Sequence, residues 1–399
     1  MPCSLYSRST RNHPPPLGEV SVDHFMRRQW QRRPLLVRNA IPGITPPVSR
    51  DALFAMAARD DVESRLVSRQ GRRWQVSHGP IEASSLPDTR QRQWTLLVQG
   101  MDLHAPAARA LLDRFRFLPD ARLDDLMISW ASDGGGVGPH TDSYDVFLVQ
   151  VQGRRRWRIA PPGPRALLPD APLRILAQFE PTETWVLEPG DMLYLPPHWA
   201  HEGTAEGECM TCSVGFRAPS RHELLRGFLA DCADQPGGPD PRHTDPGLSA
   251  TRQPGRIPEP LADSMTAWLS AWRPTQAQID DYLGRFLTEP KPQVWFEPPA
   301  RVPALPRWWA RAQTQGLVAD RRSRLAWRGS RLFINGESVI PDAGSRGLLR
   351  RLADQRGLEP GRLTGVAADS ALAGLLHDWY AAGWLQLPAR DNSRRGQSA

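Results

Sequence analysis

Residues 134–159 read GGGVGPHTDSYDVFLVQVQGRRRWRI. A glycine run opens the stretch, His140-Thr141-Asp142 follows, and two strand-like runs, the apolar 146–151 and the alternating 155–159, flank Gly153. β-Branched and aromatic residues bounded by glycine mark strands. Alternate residues of a strand share a face. Read in twos, one face of 147–159 carries Phe147, Val149, Val151, Gly153, Arg155, Trp157 and Ile159, and the other Leu148, Gln150, Gln152, Arg154, Arg156 and Arg158. Arg155 is then the single charge on an apolar face, with three arginines turned to solvent. A buried cation is costly unless an anion meets it. The planar guanidinium suits a carboxylate, supplied by a ligand or by the protein.

Working outward, short apolar strands recur at 126–130, 184–187, 192–195 and 211–216, broken by Gly and Pro, which predicts a β-sandwich or small barrel over 121–218. Upstream, 20–38 reads as a helix running into a strand, 49–58 as a capped helix, and 73–78 and 94–99 as strands. Past Pro219 the period becomes helical with Leu224, Leu225 and Phe228, and a Pro/Gly-rich linker covers 235–260. Two apolar stripes follow, Trp268, Leu269 and Trp272, then Ile279, Tyr282, Leu283 and Phe286; they suit a helical bundle or a dimer interface. Asn335-Gly336 centres a hairpin over 331–340. Ser345 as N-cap and Gly357 as C′ bound one helix, and Leu372, Leu375, Leu376 and Trp379 line another before Gly383. Small helices with a hairpin predict a winged-helix-like end.

The chain has 399 residues, enough for two or three domains. Its 40% apolar content and 15 Trp exclude a largely disordered chain, and 40 Pro with 32 Gly argue against an all-helical one. The net charge of +7 nominally suggests nucleic acid. Its distribution does not: residues 1–50 carry +6, 301–399 carry +8, and 121–220 carry −5. Lys291 is the only lysine, so arginine makes up the rest of the cations. Four cysteines are too few for a disulfide framework, and Cys209 and Cys212, three apart on a strand, face opposite sides and read as core rather than as a zinc site. With no long apolar run, the expectation is a cytoplasmic protein without a membrane partner.

The chemistry lies in two elements. In an extended chain His140 and Asp142 point the same way and can share one metal ion. Residues 188–203, EPGDMLYLPPHWAHEG, end a strand at two prolines and deliver His201, with 58 residues between it and Asp142, a separation natural for a neighbouring strand of a barrel. His198 competes for the same role. Two histidines and a carboxylate form the facial triad of non-haem Fe(II) oxygenases, which keeps coordination positions open.

Together, H-x-D, an inward arginine fifteen residues after His140, and G-D-x-L-Y-x-P-P-x-x-x-H resemble the Jumonji C-type, cupin-fold 2-oxoglutarate oxygenases. GGGVGPH-x-D-x-YDVF, GRRRWR, PP-x-x-x-HEG and SVGFRAP are more closely similar to the bacterial ribosomal oxygenases, which hydroxylate an arginine of large-subunit ribosomal protein sixteen. The resemblance implies an α+β chain: a double-stranded β-helix (cupin or jelly-roll) domain over 1–218 with its core at about 92–218, a helical segment over 219–299 that is a candidate for dimerisation, and a winged-helix-like domain over 300–390. It implies Fe(II) on His140, Asp142 and His201, and the distal carboxylate of 2-oxoglutarate on Arg155. Ser129, Thr211 and Ser213 are candidates for further hydrogen bonds to it. Asp133 is a candidate to pair with the substrate guanidinium, and Tyr144 and Trp130 to line its aliphatic stem. The implied partner is a basic ribosomal protein, met by a homodimer in the cytoplasm without sequence-specific DNA binding. Histidyl hydroxylation, demethylation, or a non-catalytic cupin fused to a DNA-binding regulator are the alternatives.

Overall fold

The computed structural model describes residues 14–71, 73–234 and 242–388; Cys3 and the 235–241 part of the expected linker lie outside them. Ten antiparallel strands form the main sheet. In chain order they are β1 Leu35–Val37, β2 Ser64–Gln70, β3 Arg73–His78, β4 Trp94–Val98, β5 Leu123–Ala131, β6 His140–Thr141, β7 Val146–Ala160, β8 Glu183–Leu187, β9 Met192–Leu195 and β10 Ala200–Phe216. Their order is β1-β9-β7-β10-β5-β4-β2-β3, with β6 on β10 and β8 on β7. The two long strands serve both walls. The 155–159 half of β7 pairs with β8 and its 146–149 half with β9, while β10 holds β6 at its start and β5 at its end. This is the double-stranded β-helix that the sequence implied.

One sequence expectation fails here. The runs 146–151 and 155–159 form a single strand, β7, and its alternation breaks at Gly153. Val146 and Leu148 pack with Trp157 and Ile159 inside the barrel, whereas Phe147, Val149 and Val151 join the outer core. Leu148 and Gln150 therefore face inward, with Arg155. Gly153 sits at φ +63, and a Cβ there would lie 2.1 Å from the Glu208 carbonyl oxygen, so only glycine fits this bulge. The register of β10 against β7 slips at the same level, between Glu206 and Met210. Beyond the bulge, Arg154, Arg156 and Arg158 do face out, paired with Glu188, Glu206 and Glu202.

The outer face of the sheet is covered by N-terminal segments and by helices Met101–His104 and Pro106–Asp113; these helices and β2 lie outside the elements expected from the sequence. Phe25, Trp30, Phe147, Tyr194 and Phe216 interlock there, with ring centroids 4.8–6.1 Å apart. Full burial of each such side chain contributes about 2–3 kcal/mol. Cys209 and Cys212 are buried in different clusters, on opposite faces.

Beyond the sheet, helices Arg221–Asp234 and Glu259–Ala271 bury no side chain among the described residues. Leu225, Leu229, Leu261, Met265, Trp268 and Leu269 stay exposed. The next helix, Gln276–Thr288, packs instead on the C-terminal hairpin: Arg331 pairs with Asp281 at 3.0 Å, and the Gly336 amide donates to Thr288 Oγ1 at 3.2 Å. Helices Leu305–Gln315, Arg346–Gln355 and Ala371–Ala381 with two small sheets enclose a second core around Trp308, Trp309, Leu352 and Trp379. Asn335 and Gly336 both take positive φ, as the hairpin turn requires. The caps of Arg346–Gln355 fall where expected, Ser345 at the N-cap and Gly357 just past the C-cap, but their chemistry differs. Ser345 is already helical and its hydroxyl donates to Asp342, while Arg356, at φ +54, takes the left-handed position assigned to Gly357.

Candidate active site

The register of β6 on β10 sets His140 directly opposite His201, and the two imidazole centroids lie 4.2 Å apart. Asp142 follows two residues after His140. Its Oδ2 is 3.5 Å from His201 Nε2 and 3.9 Å from His140 Nε2, and the three ligand atoms lie within 4.8 Å of one another. Each ring is oriented by its other nitrogen. His140 Nδ1 donates to Gly138 O at 2.9 Å and His201 Nδ1 to Trp199 O at 3.0 Å; carbonyls only accept, so the network assigns both protons to Nδ1 and leaves both Nε2 lone pairs facing Asp142. Burial, then the neighbouring His140, pull the His201 imidazole down to about 4, which keeps it neutral near pH 7. His198 stands outside the cluster. It is exposed, at φ +67, and its backbone amide donates to the Asp142 carbonyl at 2.7 Å.

Arg155 projects into the same barrel, 4% exposed. Its Nη1 donates to Ser129 Oγ at 3.3 Å and its Nη2 to Gly203 O at 3.2 Å, and its Cζ lies 5.1 Å from the Trp157 ring. Nε is buried without a partner, and no described carboxylate offsets the burial that lowers the guanidinium's pKa. A protein carboxylate as its partner is thereby excluded among the described residues. Gly203 keeps this space open: a Cβ there would sit 2.6 Å from Arg155 Nε and 2.7 Å from the Trp157 ring. The site thus offers three metal-ligating atoms beside a buried cation lacking an anion, and its donor set fits a divalent iron with a dicarboxylate alongside.

The other candidates divide. Thr211 lies opposite Ser129 in register and its hydroxyl donates to Gln150 Oε1 at 2.9 Å; Ser213 shares that inner face. Tyr144, 40% exposed, stands in the loop after Asp142; desolvation, then the Asp142 charge, raise its phenol. Trp130 is corrected. It is fully buried in the outer core, 4.5 Å from Trp94 and 5.3 Å from Phe54, because it alternates with Ser129 along β5 and so turns away from the barrel. Asp133 is committed elsewhere: Oδ1 accepts from the Gly207 amide at 2.9 Å and Oδ2 pairs with Arg92 at 2.7 Å. The sequence reading missed Gln150, which it turned outward. The signal that finds it is Gly153, since glycine inside a strand pattern marks a bulge.

Comparison with known proteins agrees with this geometry. A JmjC domain model matches residues 110–224, and a ROXA-like winged helix model matches 268–386. The chain is 38% identical to ribosomal protein uL16 3-hydroxylase of Escherichia coli over 336 residues, 82% of this chain and 87% of that one. The crystal structure of E. coli YcfD superposes with a TM-score of 0.81 at 32% identity, covering 92% of this chain and 98% of that one. A second structure, that ribosomal oxygenase in complex with cobalt and 2-oxoglutarate, gives 0.78 at 33% with the same coverage. The chain belongs to the JmjC-domain ribosomal oxygenases.

Proposed function

We propose that this chain is an Fe(II)- and 2-oxoglutarate-dependent dioxygenase that hydroxylates an arginine side chain of ribosomal protein uL16. The observation that carries the chemistry is the convergence of two imidazole nitrogens and one carboxylate beside a buried guanidinium with no anion of its own. The protein target rests on similarity to the uL16 3-hydroxylase.

His140, Asp142 and His201 hold the iron through Nε2, the carboxylate and Nε2, and the carbonyls of Gly138 and Trp199 fix the two rings. Arg155 and Ser129 receive the distal carboxylate of 2-oxoglutarate, with Thr211 and Ser213 completing the polar lining. Bound iron and 2-oxoglutarate together with O2 supply the oxidation that converts an unactivated C–H to C–OH while yielding succinate and CO2. The chain's own part is to orient the co-substrate and hold the target bond beside the metal. Tyr144, exposed next to Asp142, is the residue that meets the substrate stem. The net −5 of residues 121–220 attracts a cationic target. Asp133, tied to Arg92 and Gly207, shapes the glycine loop.

The division at about 218 separates the catalytic unit from the helical segment, whose exposed Leu261, Met265, Trp268 and Leu269 are covered in a homodimer. The winged-helix end is not expected to read a specific DNA sequence, since fold alone does not give function. No helix among the described residues is long and apolar enough to cross a membrane. A ribosomal-protein substrate supports a cytoplasmic enzyme.

The test is incubation of the purified protein with Fe(II), 2-oxoglutarate, O2 and uL16, read by mass spectrometry. Succinate together with one added oxygen on an arginine supports the proposal. Oxygen on a histidine instead, loss of a methyl group, or ligand binding without any turnover replaces it with the corresponding alternative.

A further inference from the structure

Gln150 is fully buried on the inner face of β7, where an unpaired amide is costly. Its backbone is fastened independently of its side chain: the amide donates to Asp191 O at 3.0 Å, and the carbonyl accepts from the Gly190 amide at 3.0 Å. The side chain does something else. Nε2 donates to Gln152 O at 2.8 Å and to Gly153 O at 3.3 Å, and Oε1 accepts from Thr211 Oγ1 at 2.9 Å. Two carbonyls on one side and a hydroxyl on the other fix the direction of the amide.

Those two carbonyls belong to the residues at which β7 changes parity. Were alternation unbroken from Gln150, Arg154 and Arg156 would point into the barrel and Arg155 would point to solvent. Thr211, whose hydroxyl donates to the Gln150 amide oxygen, lies opposite Ser129 in register, and Ser129 Oγ accepts from Arg155 Nη1, so the amide and the guanidinium are joined across one pair of facing residues on the inner wall. We propose that Gln150 is a positioning residue for the 2-oxoglutarate site: by clamping the bulge at Gln152 and Gly153 it sets the direction and depth of Arg155 before the co-substrate arrives. This rests on the reading that Arg155 receives the 2-oxoglutarate carboxylate. Preorganisation of this kind acts on co-substrate affinity more than on the metal or the chemical step.

The experiment is isothermal titration of 2-oxoglutarate into the full-length, Mn(II)-loaded protein under nitrogen, with Mn(II) affinity and thermal unfolding measured alongside. Gln150→Met keeps the length of the side chain and loses its hydrogen bonds. Its Kd for 2-oxoglutarate rises about tenfold while Mn(II) affinity stays as in the parent. In turnover, KM for 2-oxoglutarate rises and kcat at saturation does not fall. In an Arg155→Met background the further effect of Gln150→Met vanishes, because the glutamine acts through the arginine. Parental 2-oxoglutarate affinity in Gln150→Met, or the same tenfold loss in both backgrounds, overturns the proposal. If Arg155→Met alone leaves 2-oxoglutarate binding intact, the reading of the site fails first. Should Gln150→Met not fold, Gln150→Asn carries the test: one methylene short of both carbonyls, it weakens 2-oxoglutarate about threefold, and parental affinity overturns the proposal.

Discussion

The backbone amide of His198 donates to the carbonyl of Asp142 across 2.7 Å, so this histidine stands outside the His140–Asp142–His201 cluster and holds the loop that carries Asp142. His198→Ala keeps that amide and is expected to bind Mn(II) like the parent. His140→Ala removes a ligand and is expected to lose more than about a hundredfold in Mn(II) affinity. His198→Pro, lacking the N–H and unable to adopt φ +67, weakens the metal without touching a ligand. Calorimetric titration of Mn(II) into the three variants separates these outcomes.

Arg155→Met is expected to raise the Kd for 2-oxoglutarate by about a hundredfold, the scale of losing charge-assisted hydrogen bonds in a dry site. Metal affinity should not change. Arg155→Glu sets a like charge against the carboxylate and goes further. Equal 2-oxoglutarate binding in either variant rejects the assignment.

Gly153→Ala combines a strained φ with a Cβ 2.1 Å from the Glu208 carbonyl oxygen, and neither backbone has room to yield cheaply. A loss of at least about 2 kcal/mol in urea unfolding is expected. Gly163→Ala, with open space around it, serves as the control and should cost little.

Arg116 links the two halves of the molecule: it pairs with Asp120 at 2.6 Å and donates to the Asp354 carbonyl in the C-terminal domain at 2.9 Å. Burial alone pushes the Asp120 carboxyl up, but the Arg116 hydrogen bond and charge override it and hold the group below its ordinary 3.8. A depressed carboxyl stabilises the fold above pH 3.8 and loses that contribution as pH falls through the folded value. Asp120→Asn is expected to cost about 2 kcal/mol near neutrality, since it strands a largely buried guanidinium. It should also unfold with a shallower pH dependence below 3.8 than the parent. Parallel acid titrations followed by circular dichroism check both.

Met265 and Trp268, 61% and 58% exposed on a helix that buries nothing, are expected to lie in the contact of the proposed dimer. Met265→Glu with Trp268→Glu should convert a dimer to a monomer in sedimentation velocity and leave the barrel intact by circular dichroism. An unaltered sedimentation coefficient removes this face from the contact.

Much was legible in the chain because it is local. His140 and Asp142 share a face through simple alternation, Pro196-Pro197 ends β9 so that His201 falls at the start of the next strand, and Asn335-Gly336 dictates its own turn. Tertiary structure decided what depends on a partner strand. Counting by twos carried Phe147 and Arg155 onto one face, but the slip of β10 against β7 and the close approach of Glu208 to Gly153 reset the count, turning Gln150 inward. Trp130 and Ser129 are equally plausible near a ligand until the sheet shows which side the N-terminal helices cover. Alternation is a property of one strand, whereas the absolute assignment of its faces belongs to the strands and helices packed against it. The sequence by itself therefore singled out His140, Asp142 and a downstream histidine together with the family resemblance, and the assembled barrel decided that His201 rather than His198 joins them and that Arg155 opens into the same space.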